Sequence, residues 1–215
     1  MINVYTTYLE NIEKHDIYVL IDTLRATSTI STLLHCKIKS LEIVESLEKA
    51  FLKKNKILIG ERNAQKIKGF DYSNSPVEIL KNKEKLNGKE IVLTTTNGAK
   101  AFNKISSMGK VIPLSLLNLN SVYEYVKDYT DIGIVCSGSN GVSSLEDLYT
   151  AGLFLRNFKD VDLNDGAKIA LSIANLSVEE IKNSDHARTM KRLNLNEDIK
   201  FCFKLNVFNE VIIME

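Results

Sequence analysis

The segment IYVLIDTLRATSTISTLL, residues 17–34, changes character at Asp22. Before it, Ile17 to Ile21 is an unbroken apolar run of strand length; after it, Ala26 to Leu34 has helical spacing, and Asp22-Thr23-Leu24-Arg25 lies between. A buried strand passing through a short polar turn into a helix is the unit of an α/β fold. The alternation recurs along most of the chain. Strands are expected at Ile2–Tyr5, Ile17–Asp22, Leu41–Val44, Lys56–Ile59, Ile91–Thr94, Lys110–Pro113 and Ile132–Cys136, with Val211–Met214 as a late edge strand. Helices are expected at Ala26–Leu34, Leu47–Lys54, Gly98–Ser106, Ser121–Val126, Leu145–Leu155 and Ala167–Ala174. After Asp162 the strand signal fades, and the charged, helix-rich stretch to Phe203 reads as a cover over the sheet. The expected fold is a three-layer α/β/α arrangement around a mostly parallel or mixed sheet, with a helix-rich C-terminal region.

A chain of 215 residues, 44% of them apolar, has material for one sizeable core, so residues 1–215 are read as one domain. With 28 basic against 27 acidic residues there is no global field for nucleic acid or an anionic membrane, and any anion site must be local. Cys36, Cys136 and Cys202 lie far apart and form no C-x-x-C pair, which fits neither a disulfide framework nor structural zinc and points to a reducing cytoplasm. The charged opening MINVYTTYLENIEKHD has no apolar targeting core, and no stretch approaches the ~18 apolar residues of a membrane span. The sequence is compatible with a homo-oligomer but does not specify one.

Polar residues and glycines collect where strands end. The clusters are Asp22 to Thr27, Gly60-Glu61-Arg62, Thr94-Thr95-Thr96-Asn97-Gly98 and Ser137-Gly138-Ser139-Asn140-Gly141. Each alone is ordinary turn and cap chemistry. Four at one edge of an open sheet mark a crevice, because ligands bind outside the carboxyl ends of such strands. The loops at Thr95, Thr96, Asn97 and Gly98 and at Ser137, Gly138 and Ser139 offer hydroxyls and backbone N–H groups ahead of helices, as anion sites do. Asp22 caps the following helix or binds a hard metal; Arg25, three residues on, presents a bidentate fork to phosphate. Glu61 joins Asp22 on Mg²⁺ or pairs with Arg62. Glu146 and Asp147 open a helix, where acids favour the N-terminal dipole as readily as a metal or general-base role.

Several chemistries lack their residues. Gly133 to Gly138 has P-loop glycine spacing, but Ser139-Asn140 replaces Lys-Ser/Thr, and no G-x-G-x-x-G occurs. Cys136 would need an arginine at position 142 to make a cysteine phosphatase; Val142 stands there. His15, His35 and His186 have no zinc-hydrolase spacing. His186, in Ser184-Asp185-His186-Ala187-Arg188, faces either an anion or solvent on a helix surface.

Taken together and in order, these blocks resemble the 2-phosphosulfolactate phosphatase family. The resemblance rests on Ile21 to Thr29 (ID-x-L-R-A-T-S-T), Gly60 to Arg62, Gly69 to Pro76 (G-F-D-x-x-N-S-P), Leu93 to Gly98, Ser115 to Asn118, and Cys136 with Ser144 to Asp147. The C-terminal match, Ser184 to Leu193 and Asp198 to Cys202, is looser: Ala187 stands where the family commonly has glycine. The resemblance implies a Mg²⁺-dependent phosphoric monoester hydrolase that converts 2-phosphosulfolactate to sulfolactate and phosphate. On that reading Mg²⁺ is held by Asp22 and Glu61, with Asp147 as a further candidate ligand. Arg25 would act with them in catalysis, and Arg25, Arg62 and the two loops would bind the anionic substrate. A water activated by the cation is favoured as nucleophile over Asp22, because Leu24 removes the D-x-D pattern of phosphoaspartate enzymes. The alternatives are a phosphatase for another small phosphorylated hydroxy acid and a non-catalytic binder of phosphorylated metabolites.

Overall fold

The structure, a computed structural model, describes residues 1–214. Its strands are β1 (Ile2–Tyr5), β2 (Ile17–Ile21), β3 (Ser40–Ile43), β4 (Ile57–Arg62), β5 (Gln65–Lys66), β6 (Glu90–Thr94), β7 (Val111–Leu114) and β8 (Ile132–Cys136). Its helices are α1 (Ala26–His35), α2 (Leu47–Phe51), α3 (Pro76–Lys81), α4 (Lys83–Leu86), α5 (Gly98–Ser106), α6 (Leu119–Val126), α7 (Leu145–Leu155), α8 (Asp165–Ile173), α9 (Val178–Ile181), α10 (Asp185–Arg192) and α11 (Asn196–Cys202). The α/β expectation holds, and the bounds of β1, β8, α5 and α7 are those read from the sequence. The sheet is divided. One is parallel with order β1-β8-β2-β7; the other has order β3-β6-β4-β5, parallel except for β5. Val211–Met214 contributes only a bridge from Met214 to Val111 on the edge strand β7.

Alternation along β2 shows how the layers form. Ile17, Val19 and Ile21 enter the cluster built with α6, α7 and α8, whereas Tyr18 and Leu20 join Ile30 and Leu33 of α1 and Ala99, Phe102 and Ile105 of α5. Ile59, Ile91 and Leu93 of the second sheet belong to that same cluster, so α1 and α5 serve both sheets. Val92 turns to the far face, against Ala50 and Phe70. Both faces of each central strand are covered, which is why they read as continuous apolar runs.

Helix α1 is buried from Ala26 to Leu33 although most of those residues carry hydroxyls. The hydroxyls bond back to carbonyls one turn earlier: Thr27 to Asp22, Ser28 to Thr23, Ser31 to Thr27 and Thr32 to Ser28. With these four satisfied and only the Thr29 hydroxyl left without a partner among the described residues, a polar helix can occupy a core position and hold the Asp22 turn. Among the described residues no helix is long and apolar enough to cross a membrane.

Candidate active site

The strand ends converge as expected. A crevice of about 690 Å³ lies over them, lined among others by Asp22, Arg25, Glu61, Thr96, Asn97, Ser139, Glu146 and His186. Five buried side-chain atoms have no hydrogen-bond partner among the described residues, and three of them, Asn74 Oδ1, Thr96 Oγ1 and Glu146 Oε2, belong to residues that line this crevice. A folded chain rarely leaves such atoms orphaned, so their concentration here marks a place prepared for a ligand.

Asp22 follows β2 and is buried; its Oδ1 accepts the Ala26 N–H at 3.0 Å, which caps the entrance of α1. Its other oxygen lies against the first residue of α5. A Cβ at Gly98 would come within 2.7 Å of both Asp22 Oδ2 and the Ala26 Cβ, so glycine here permits the close approach of two helix entrances to one carboxylate. Burial raises the Asp22 carboxyl above its ordinary range; the Ala26 N–H, the charge of His186 and the Ser137 hydroxyl pull it back.

Glu61 comes from the other sheet. Its Oε2 accepts Ala64 N–H and its Oε1 accepts Thr96 N–H, both at 2.7 Å. The residue lies at the end of β4 rather than after it. Asp22 and Glu61 form no ion pair within 4 Å among the described residues; Glu61 accepts two backbone N–H groups, and Asp22 accepts the Ala26 N–H with the Ser137 hydroxyl nearby.

Asp147 does not line the crevice. It sits beneath the floor, taking Thr23 N–H on Oδ1 at 2.8 Å and Gly138 N–H and the Ser137 hydroxyl on Oδ2 at 3.1 and 3.3 Å. Burial and the nearby charges of Asp22 and Glu146 push its carboxyl well above the usual range, against the two N–H bonds. Among the described residues no group of three His, Cys, Asp or Glu is arranged around a metal position. Of the three expected metal ligands, Asp22 and Glu61 line the crevice, and Asp147 lies behind them, holding the Thr23 and Ser137–Gly138 segments.

The anion cradle also changes. The amides expected to face an anion are largely committed: Thr96 N–H to Glu61, Gly138 N–H to Asp147, Ser137 N–H to Ile21 O and Ser139 N–H to Val142 O. Thr95 Oγ1 accepts Ala99 N–H at the start of α5 and lies outside the crevice lining. Arg62 turns away as well, donating to Glu45 O, Glu61 O and Thr94 Oγ1. Thr96, Asn97 and Ser139 do line the crevice. Gly138, at φ +63°, makes the turn that aims its N–H down at Asp147.

Arg25 lines the crevice but is tied from behind: Nη1 donates to Asp198 of α11 at 2.6 Å and Nη2 to Ala64 O at 2.8 Å. Asp198 in turn accepts the Ser75 hydroxyl and Val77 N–H. The guanidinium has five N–H donors, of which these two bonds engage two. This buried pair fastens the helical cover to the active-site turn, and breaking it would leave a buried charge at a cost of about 3–5 kcal/mol. His186 of α10 enters the crevice beside Ser139 Oγ, with Arg188 at the rim. The α10 segment divides between the two readings: His186 turns to the Ser139 loop, while Arg188 is exposed and pairs with Asp185 and Asn183 O.

Sequence reasoning left Asn74 without a role, although it lies in the G-F-D-x-x-N-S-P block, and it left Asn63 and Asn183 unassigned; all line the crevice, as does Asn140 of the Ser137–Gly141 cluster. Cys136 is buried at the end of β8 and does not line the crevice, and burial pushes its thiol well above its ordinary range, which disfavours the thiolate.

A family model described as 2-phosphosulpholactate phosphatase matches residues 4–215. A probable 2-phosphosulfolactate phosphatase of Thermotoga maritima is 45% identical over 199 residues, covering 90% of this chain and 86% of the relative. Proteins with the same name from Caldanaerobacter subterraneus and Clostridium perfringens are 40% and 39% identical, each over 85% of the relative's length and 90% and 92% of this chain.

Proposed function

The chain belongs to the 2-phosphosulfolactate phosphatase family, the phosphoric monoester hydrolases, and we propose that its crevice hydrolyses 2-phosphosulfolactate to sulfolactate and phosphate with Mg²⁺. The observation that carries the cation is the meeting of Asp22 and Glu61, from two different sheets, as buried carboxylates in one crevice with no basic side chain paired to either among the described residues. An all-oxygen set of two carboxylates suits Mg²⁺, which commonly takes one or two and leaves its other positions to water and phosphate oxygens. Such an ion would neutralise charge on the phosphoryl group.

The protein's own groups do the rest. Backbone N–H groups of Ala26, Ala64 and Thr96 fix the two carboxylates, so little reorganisation accompanies charge development. The free donors of Arg25 meet phosphoryl oxygens, and Asp198 holds the guanidinium in place. The substrate also carries a carboxylate and a sulfonate, and the α10 rim, where His186 and the Asp185-paired Arg188 line the crevice, offers hydrogen-bonding groups for them opposite the acidic floor. A small anionic phosphorylated substrate is thus its partner, and the extra carboxylates favour catalysis over simple anion binding.

Asp22→Asn tests the reading. Phosphate release from 2-phosphosulfolactate should depend on Mg²⁺, stop with chelator, and fall in the variant on the order of 10²–10³-fold in kcat, with weaker Mg²⁺ binding by calorimetry. Full turnover after exhaustive metal removal would end the cation proposal.

A further inference from the structure

Glu146 and Asp147 are consecutive in the first turn of α7, yet the fold treats them differently. Asp147 points beneath the floor and accepts three hydrogen bonds. Glu146 is 2% exposed and lines the crevice, and its Oε2 is buried without a partner. Its backbone is fixed: its carbonyl accepts the hydroxyls of Thr23 at 3.2 Å and Thr150 at 3.0 Å. A carboxylate held out of water, on a rigid helix start, with an open acceptor site costs stability unless something else in the crevice completes it. No basic side chain does so among the described residues. A carboxylate in this condition, beside the site where a phosphoryl group is held, is suited to receive a water molecule and its proton.

Resting on the phosphatase reading above, we propose that Glu146 is the general base of the reaction. The water oxygen forms its bond to phosphorus as the bond between phosphorus and the ester oxygen breaks. The proton of that water passes to the Glu146 carboxylate. The ester oxygen leaves with the electron pair and is protonated by solvent in the open crevice, and Glu146 then returns its proton to solvent. Of these two adjacent carboxylates, Glu146 is therefore the one that acts on the water, while Asp147 positions the Thr23 and Gly138 backbone.

Glu146→Gln keeps the shape and removes the base. With 2-phosphosulfolactate, kcat should fall about 10²–10⁴-fold with KM within a few-fold. The metal-free variant should melt no lower than wild type, because a buried unpartnered charge has been removed, whereas Asp147→Asn should melt lower. Formate should restore part of the turnover of Glu146→Ala. Mg²⁺ affinity by calorimetry should be unchanged. Wild-type kcat in Glu146→Gln would overturn the assignment, as would weakened Mg²⁺ binding with kcat recovered at high Mg²⁺, which would make Glu146 a cation ligand. A wild type inert toward the ester would instead overturn the phosphatase reading and take the assignment with it.

Discussion

Neighbouring strands β2 and β8 carry a buried polar cluster at each end, and the two clusters are built on opposite principles. Where the strands begin, His15 donates from Nδ1 to Asp131 at 2.7 Å and accepts the Tyr5 hydroxyl on Nε2 at 2.8 Å. The Tyr18 hydroxyl there donates to Glu13 O and accepts His15 N–H. The His15 ring fills the space over Gly133, where a Cβ would lie 2.4 Å from Cδ2. Where the same strands end, Asp22 and Asp147 crowd together around Ser137, and the crevice above them contains Asn74, Thr96 and Glu146 atoms unpartnered among the described residues. Polar burial alone does not mark function. A closed set of bonds makes a structural pin; an open set, with excess like charge, makes a site waiting for substrate and cation.

The comparison breaks most visibly at Gly98. In Gly98→Ala the new methyl would meet Asp22 Oδ2 and the Ala26 Cβ, neither of which is the loose end of a long side chain. Displacing Asp22 should lower kcat by about 100-fold, the scale expected of a misplacement near 1 Å. Overpacking should cost about 1–3 kcal/mol. Phosphate release and thermal melting on one preparation check both, and a variant with wild-type turnover would show that the approach of α5 to Asp22 is incidental.

At the other pole the signature should invert. His15→Ala leaves Asp131 and Tyr5 without their shared partner and opens a void over Gly133, so a loss of about 2–4 kcal/mol is expected. Turnover per folded molecule should stay within two-fold. A large fall in kcat with an unchanged melting temperature would mean that the two ends of β2 and β8 are coupled, and the distinction between pin and site would fail.

What the sequence disclosed follows the same division between local and distant causes. β8 and α7 were readable to the residue because an apolar run and a helical period are local patterns. α3 was missed, although Ser75 caps it and Pro76 occupies its first turn, because it is only six residues long. The split into two sheets depends on pairings such as Ile57 with Ile91, which no local window contains. In the site, Asp22, Glu61, Thr96, Asn97 and Ser139 were legible as polar ends of strands. The partner of Arg25 was not, since Asp198 lies 173 residues away. Nor could Glu146 be separated from Asp147: adjacent helical residues point roughly 100° apart, and only the docking of α7 decides which one faces the crevice.

The smallest expected effect concerns pH, and it measures how much like charge the open cluster stores. Asp22 and Asp147 are both held above the ordinary carboxyl range by burial, and the charge of Asp22 itself raises Asp147. A carboxyl raised in the fold binds its proton more tightly folded than unfolded. Its contribution to stability is complete below the unfolded value of about 3.9 and is lost as pH rises through the higher folded value. Metal-free wild type should therefore melt higher at pH 5.5 than at pH 8. Asp22→Asn removes one charge of the pair and should shrink that difference, by about 2–4 °C for each kcal/mol of repulsion removed. Added Mg²⁺ should flatten the wild-type profile in the same direction, because a cation at the Asp22–Glu61 pair offsets the charge that proton uptake otherwise relieves. Melting curves at the two pH values, with and without Mg²⁺, test this directly; equal slopes in wild type and Asp22→Asn would mean that the acids at the ends of β2 and β8 are no more strained than the satisfied cluster where those strands begin.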